Sequence, residues 1–307
     1  MISDPLITTS ELESLYRRVM EHAPSLQRGR GVIQRGSFSS PFRGHGLEMA
    51  DLRPYQWGDD LRHMDWRATA RSGKPITKVF VDERMRHVFL VLDRRPSMAF
   101  GTRGRLKAAM AAHIAAILAF AALAERETVA GAVFDGQHTT FFPVTTTLDG
   151  VLPMLHSAAA ALHADPGRHA GPPAHALNRL LGQLSAAVPT QASLFLISDF
   201  QGLEPSHLPA LMHIAEHREV AAIHIVDAAE QTLPDTGLLR VVSPDTGQRY
   251  VIDTRDAGVR DRYAEAMARR HGSLQQLFTA AGIPLMRVLT HHDPLASLEG
   301  AQWATTH

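Results

Sequence analysis

Two aspartates in this chain directly follow apolar runs. Asp93 ends HVFLVLD, and Asp199 comes after SLFLIS. A continuous apolar run reads as a strand buried on both faces. In doubly wound sheets, ligands gather beyond the carboxyl ends of such strands. After Asp93 the chain continues Arg94-Arg95-Pro96-Ser97, so a guanidinium stands next to the carboxylates. Pairing of Asp93 or Asp199 with Arg95, or capping of a neighbouring helix, is one reading of this constellation. A second constellation spans residues 44–83, where Arg53, Arg62, Arg67 and Arg71 interleave with Asp59, Asp60 and Asp65 among Tyr55, Trp57 and Trp66. Arginines alternating with carboxylates neutralise each other and stack on indole faces. These residues read either as a surface for a protein partner, where Arg, Trp and Tyr concentrate binding energy, or as a clamp holding an N-terminal extension on the rest of the chain. The i,i+3 spacing of Asp59 and Arg62 and the i,i+4 spacing of Arg62 and Trp66 make internal pairing easy. For most of them this favours the clamp.

Composition removes several other chemistries. The 307 residues contain no cysteine, which excludes disulfides, thiolate metal sites and cysteine nucleophiles. Lys+Arg and Asp+Glu are both 31, so no global field draws the chain to nucleic acid or an anionic membrane. The 18 histidines are scattered, without the HxH or HExxH spacing of a metal site. Gly101 to Gly104 lacks the GKS/T of a P-loop, no serine sits in a GxSxG elbow, and His291-His292-Asp293 reads as a loop. Asp93 lacks the second aspartate expected of a phosphoryl acceptor, because Arg95 stands there. The apolar stretch Ala108 to Ala124 has alanine at ten of its 17 positions and His113 within it, which reads as a buried helix and not a membrane span. With no signal peptide legible at the N-terminus, a cytoplasmic location is expected.

The elements that position these residues follow from periodicity. Residues 8–23 read as an amphipathic helix with Leu12, Leu15 and Val19 on one face and a Ser10/Glu13 capping box. Residues 27–46 read as irregular. Asp59 is expected to cap a short helix reaching Ala70, with Leu61, Met64 and Ala68 on its apolar face, and Pro75 to Asp82 reads as a strand. Beyond His87, strands at 88–92, 128–134, 193–198, 220–226 and 283–289 alternate with helices at 108–124, 148–162, 174–187, 204–218 and 263–281. An edge strand at 139–144 and a hairpin about Pro244 to Gly247 complete the pattern. Such alternation implies a mainly parallel sheet flanked by helices, a Rossmann-like α/β architecture. Residues 1–83 read as the extension and 84–307 as the α/β domain.

Asp93 and Ser97 resemble part of the metal-ion-dependent adhesion site of von Willebrand factor A domains, which reads DxSxS after the first strand and adds a threonine and an aspartate from later loops. The resemblance assigns Asp93, Ser97 and Asp199 as hard-oxygen ligands for Mg²⁺. Arg95 replaces the middle serine, however, and the loop near Gly171-Pro172-Pro173 offers no threonine. A longer resemblance lies in GHGLEMADLRPYQWGDDLRHMDWRATAR. It is similar to the signature of the domain of unknown function 58 family at Gly44, Gly46, Glu48, Leu52, Arg53, Tyr55, Gly58, Asp59, Asp60, Arg62, Asp65, Trp66, Thr69, Ala70 and Arg71. Met49 and Met64 stand where that signature has Phe and Ile.

The resemblance implies a von Willebrand factor A-like domain with an N-terminal extension. It also implies a partnership with MoxR-type AAA+ ATPases in chaperone-like maturation of other proteins or metal insertion into them. Many such proteins carry N-terminal membrane helices and a fuller metal motif, neither of which is legible here. The expected function is therefore a non-enzymatic protein-binding adaptor, contacting the ATPase or its client, with no cofactor. The alternative is a metal-dependent hydrolase or phosphoryl-transfer enzyme using Mg²⁺ at the Asp93 and Asp199 loops.

Overall fold

A computed structural model describes residues 6–21, 48–56, 64–81, 87–162, 173–242 and 248–299. It divides into two compact units, one of residues 37–85 and one combining residues 1–36 with 86–307. The expected boundary at 83/84 lies outside the described residues.

The first helix, α1 (9–21), belongs to the larger unit, and its Leu12, Leu15 and Val19 are buried in that unit's core. Its capping box is not Ser10/Glu13. The Thr8 amide donates to Glu11 Oε2 at 2.7 Å, and the Glu11 amide donates to Thr8 Oγ1 at 3.3 Å. The cap therefore lies two residues earlier than the Ser-x-x-Glu pattern alone suggests, with apolar Ile7 buried just before it.

In the smaller unit β1 (Glu48–Pro54) pairs antiparallel with β2 (Ile76–Val81). Helix α2 (Trp66–Ser72) lies between them in sequence. The expected Asp59 cap and Leu61 lie outside the described residues. The described helix begins at Trp66, capped by Asp65, and Met64 forms a bridge with Thr77 instead of a helical turn. Gly73 closes α2 with φ +66° and its amide on the Thr69 carbonyl, a left-handed C-cap that favours glycine.

The sheet of the larger unit runs β3 (His87–Asp93), β4 (Thr128–Phe134), β5 (Thr139–Thr145), β6 (Ser193–Ser198) and β7 (Glu219–Val226). After the two-stranded ribbon β8 (Leu238–Val242) and β9 (Arg249–Asp253) it ends with β10 (Leu285–Leu289). Its spatial order is β10-β7-β6-β3-β4-β5. Every pairing is parallel except β4 with β5, the antiparallel edge. Numbered along the chain this order is 3-2-1-4-5-6, so the topology reverses between β3 and β6. The expected mainly parallel sheet flanked by helices is thus the observed architecture.

Helices cover both faces. One core joins α1, α3 (Lys107–Ala124), α4 (Leu148–Ala159) and α8 (Pro294–Glu299) to Leu90, Leu92, Ile197, Ile223 and Val288. The other joins α5 (Pro173–Ala187), α6 (Leu208–Glu216) and α7 (Ala257–Ala280) to Phe89, Val91, Leu194, Leu196 and Ala222. Helix α3 is long and apolar enough to cross a membrane, yet 83 % of that stretch is buried inside the domain. Its alanines let it sit close to both the sheet and its neighbours.

Two expected helices change extent. The segment expected over 204–218 splits into a 3₁₀ turn (Pro205–His207) and α6, with a proline near the start of each, where a missing N–H costs nothing. Helix α7 starts six residues before the expected Tyr263, because Asp256 caps it through the Gly258 amide at 2.8 Å while its first turns stay largely exposed. Apolar periodicity cannot mark a solvent-facing turn. The tip of the hairpin, 243–247, lies outside the described residues.

Gly131 on β4 shows how tightly α4 lies on the sheet. A Cβ there would come within 2.5 Å of the Leu90 carbonyl and collide with Met154 Sδ. Gly131→Ala is expected to lower unfolding free energy by about 1–3 kcal/mol, the usual penalty for overpacking. A urea melt followed by circular dichroism checks this.

Candidate functional site

Because β3 and β6 flank the reversal, Asp93 and Asp199 meet at the carboxyl edge of the sheet. Both are buried, as are Arg95, Ser97 and Ser198. Asp93 folds the following loop onto itself, since the Arg95 amide donates to its Oδ1 at 2.9 Å. The turn returns the Arg95 side chain to the same carboxylate, Nε donating at 3.0 and 3.1 Å and Nη2 at 2.7 Å. Arg95 Nη1 reaches the Gln201 carbonyl at 2.8 Å, and Nη2 lies 3.7 Å from Asp199 Oδ1. Ser198 Oγ donates to Asp93 Oδ2 at 2.6 Å and accepts from the Phe200 amide at 2.8 Å. The preceding arginine, Arg94, points elsewhere and donates to the Ser157 and Ala160 carbonyls at the end of α4, where a cation complements the helix dipole.

Lys107, the first residue of α3, completes the network. Its Nζ donates to Asp199 Oδ2 at 2.8 Å and to Glu230 Oε1 at 2.7 Å, with a side chain only 1 % exposed. Desolvation is the largest influence on this ammonium and acts to lower its pKa, but Asp199 and Glu230 together outweigh it and hold Lys107 above its ordinary value. Desolvation likewise acts to raise Asp199, and Lys107 and Arg95 more than reverse it, so Asp199 stays well below the usual carboxylate range. A chain of alternating charge, Asp93–Arg95–Asp199–Lys107–Glu230, therefore links β3, β6, α3 and the segment after β7.

A third aspartate lies at the carboxyl edge. Asp227 directly follows β7 and is fully buried. It accepts from the Thr102 amide at 2.9 Å, from the Thr102 hydroxyl, from Thr290 Oγ1 at 2.7 Å and from the Ala229 amide at 3.0 Å. These bonds lower its pKa against desolvation. Asp227 pins the loop after β3 and the end of β10 to the tip of β7. Sequence reading missed it although the signal was present, since EVAAIHIVD repeats the apolar-run-then-aspartate pattern of Asp93 and Asp199. Lys107 was missed because the apolar helix seemed to begin after it. Ser198 and Glu230 carry no pattern of their own.

A divalent cation at Asp93, Ser97 and Asp199 does not fit this geometry. Arg95 and Ser198 already occupy both Asp93 oxygens, and Lys107 holds Asp199. No hydrogen bond joins Ser97 to either carboxylate; it is buried on the 3₁₀ turn Pro96–Ala99. A cation would have to displace a guanidinium that is itself 5 % exposed. Among the described residues no other group of three His, Asp or Glu side chains converges as a metal site.

Beside the network lies a cavity of about 310 Å³, lined by His224, Glu230, Met267, Arg270, His271 and Arg287 among others. His224 and Arg287 are neighbours in register across β7 and β10. The His224 ring stacks on His271 at 5.7 Å and 15°, and the Nδ1 atoms of both are buried without a hydrogen-bond partner. Burial pushes His224 down to about 3. Arg270 donates to the Asp199 carbonyl at 3.3 Å.

The residues of the second constellation are described only in part. Gly58, Asp59, Asp60 and Arg62 lie outside the described residues. Asp65 Oδ1 caps α2, accepting from the Arg67 and Ala68 amides at 3.0 and 2.9 Å. The Tyr55 amide donates to Pro75, Arg53 Nη1 to Pro54 and Arg71 Nε to Arg67. Trp66 is 67 % exposed.

Two measurements check these electrostatics. Lys107→Met leaves buried Asp199 with only Arg95, at 3.7 Å, and Glu230 with no cation, so it is expected to cost about 3–5 kcal/mol of stability near pH 7. Adding Asp199→Asn is expected to recover part of that loss, giving a large coupling in a double-mutant cycle. His224 has a folded pKa far below its ordinary 6.5, so its neutral form contributes stability above pH 6.5 that is lost as pH falls towards 3. His113, also lowered mainly by burial, acts in the same direction. Melts of the wild type are expected to weaken from pH 7 to 4, and His224→Phe to flatten that slope.

Comparison with known proteins matches residues 51–273 to the family described as Protein of unknown function DUF58. An uncharacterized protein of Mycobacterium tuberculosis, Rv1480, is 28 % identical over 264 residues, covering 83 % of this chain and 78 % of that one. Bacillus subtilis YeaD, also uncharacterized, is 40 % identical over 65 residues, covering 21 % of this chain and 16 % of that one. Among solved structures, the conserved hypothetical protein BatB of Bacteroides thetaiotaomicron overlaps with a TM-score of 0.39 at 16 % identity, covering 69 % of this chain and 93 % of that one. The match over residues 51–273 takes in both the smaller unit's signature and the strands that carry Asp93, Asp199 and Asp227, and on that extent this chain belongs to the DUF58 family.

Proposed function

We propose that this protein is a cytoplasmic, non-enzymatic adaptor with a von Willebrand factor A-like domain. It binds a MoxR-type AAA+ ATPase, or that ATPase's protein client, through the carboxyl edge of the sheet during chaperone-like protein maturation. The strand order with its antiparallel third strand is compatible with such a domain. The partner is the one implied by the resemblance of residues 44–71 to the family signature.

One observation carries the adaptor reading over the hydrolase reading. At the point where an enzyme of this topology would expose its ligands, the carboxylates are consumed by Arg95 and Lys107. A saturated, buried ion chain holds loops in place and leaves no open coordination or proton-accepting position. The ion chain of three carboxylates and two cations keeps one net negative charge, and Arg270 and Arg287, which line the adjoining cavity, outweigh it there. Such a pocket is complementary to an acidic side chain on a partner, which a guanidinium binds through paired N–H donors.

Co-purification with a MoxR-type ATPase of the same organism tests the proposal, run with and without nucleotide and Mg²⁺. A complex is expected, and Arg287→Glu is expected to weaken it roughly tenfold or more without altering the melting temperature. The absence of a complex in every nucleotide state overturns the reading.

A further inference from the structure

The ribbon β8–β9 stands apart from the main sheet and is exposed along both strands. Leu238, Tyr250 and Val251 are 67, 51 and 65 % exposed. Among the described residues β9 pairs only with β8, so its outer edge is an unpaired strand edge, a ready template for another strand.

The phase of that edge can be read from one bond. The Thr254 amide donates to the Gly237 carbonyl at 2.9 Å, one step beyond the Leu238–Asp253 pair. Hydrogen-bonded and non-bonded pairs alternate in an antiparallel ladder. Leu239–Ile252 and Val241–Tyr250 are therefore the bonded pairs. Arg249, Val251 and Asp253 turn their N–H and C=O groups outward. The same three residues share one face of the ribbon, because side chains alternate along a strand.

We propose that two copies of this chain associate through β9, antiparallel across a twofold axis at Val251. In this register Val251 faces Val251 of the second copy, and the ends are complementary: Arg249 faces Asp253, and Asp253 faces Arg249. Each of these positions presents outward backbone groups, so the two ribbons join into one four-stranded sheet. The contact is isologous, as a twofold requires. Sliding the register by two residues sets Arg249 or Asp253 against Val251 and forgoes both ion pairs, and sliding it by four sets Arg249 against Arg249 or Asp253 against Asp253, which is repulsive. The outer edge of β8 is excluded by the same test, since its central outward residue is Arg240, which would meet its own copy. Asp253 Oδ1 also accepts from the Arg255 amide at 3.0 Å, which holds the carboxylate in place at the end of the strand.

Charge exchange tests this independently of the adaptor reading. The intact chain is studied by sedimentation equilibrium over a concentration series. The wild type is expected to dimerise. Arg249→Glu and Asp253→Arg are each expected to weaken dimerisation on the order of tenfold, because both ends of the contact become like-charged. An equimolar mixture of the two single variants restores opposite charge at both ends and is expected to form a heterodimer of near wild-type strength, as is the homodimer of the double variant Arg249→Glu/Asp253→Arg. Circular dichroism confirms that each variant is folded. A wild type that stays monomeric to about 1 mM, single variants that dimerise as well as the wild type, or a mixture that fails to recover would each overturn the proposal.

Discussion

Burying ionised groups is stable only when each is paired or hydrogen-bonded, and in this protein that requirement governs the carboxyl edge of the sheet. Asp93, Arg95, Asp199, Lys107 and Glu230 alternate in sign and touch in sequence. Removing Arg95 leaves Asp93 buried without a cation, and removing Lys107 takes the near cation from both Asp199 and Glu230, either of which costs several kcal/mol. The network therefore fixes the loop after β3, the start of α3 and the segment after β7 relative to one another. Lys107 shows the force of this constraint. A cation on the first turn of a helix opposes the helix dipole, yet it is kept there because two carboxylates converge on it. Asp227 adds a second lock that uses hydroxyl and amide donors in place of cations.

What the locks leave unspent matters for function. With Asp199 and Glu230 both bound to Lys107, the adjoining cavity adds Arg270, Arg287 and two stacked, uncharged imidazoles. The proposed preference for an acidic partner rests on that local arrangement, although the chain as a whole is electrically neutral. The packing beneath is correspondingly tight. Alanines on α3 and the glycine at 131 let helices lie against the sheet with little clearance, and that close approach lets an 18-residue apolar helix serve as core.

The central strands were legible because a strand covered on both faces must be apolar throughout, and HVFLVLD and SLFLIS meet that demand without ambiguity. Strand β1 was not legible. EMADLRP mixes charges with apolar residues, and nothing local says that it pairs with ITKVFV. The cap of α1 was read two positions late, at Ser10 in place of Thr8, because Ser and Thr crowd the helix start and only backbone geometry selects among them. The first turns of α7 were lost for the opposite reason, since a solvent-facing turn leaves no apolar signature. Arg95 could be seen to stand in a ligand position, but its two flanking carboxylates are 106 positions apart and were not bound to meet.

By itself the sequence determined the alternating α/β architecture, the family and the residue types available at the strand ends, because these depend on local periodicity and on a contiguous signature. Only the tertiary structure decided which charges meet. The reversal of strand order between β3 and β6 brings Asp93 beside Asp199, and the start of α3 delivers Lys107 to the same point. Ion pairing acts over a few ångströms in space and is indifferent to separation along the chain, so whether Asp93 bound a cation or a guanidinium was settled by folding.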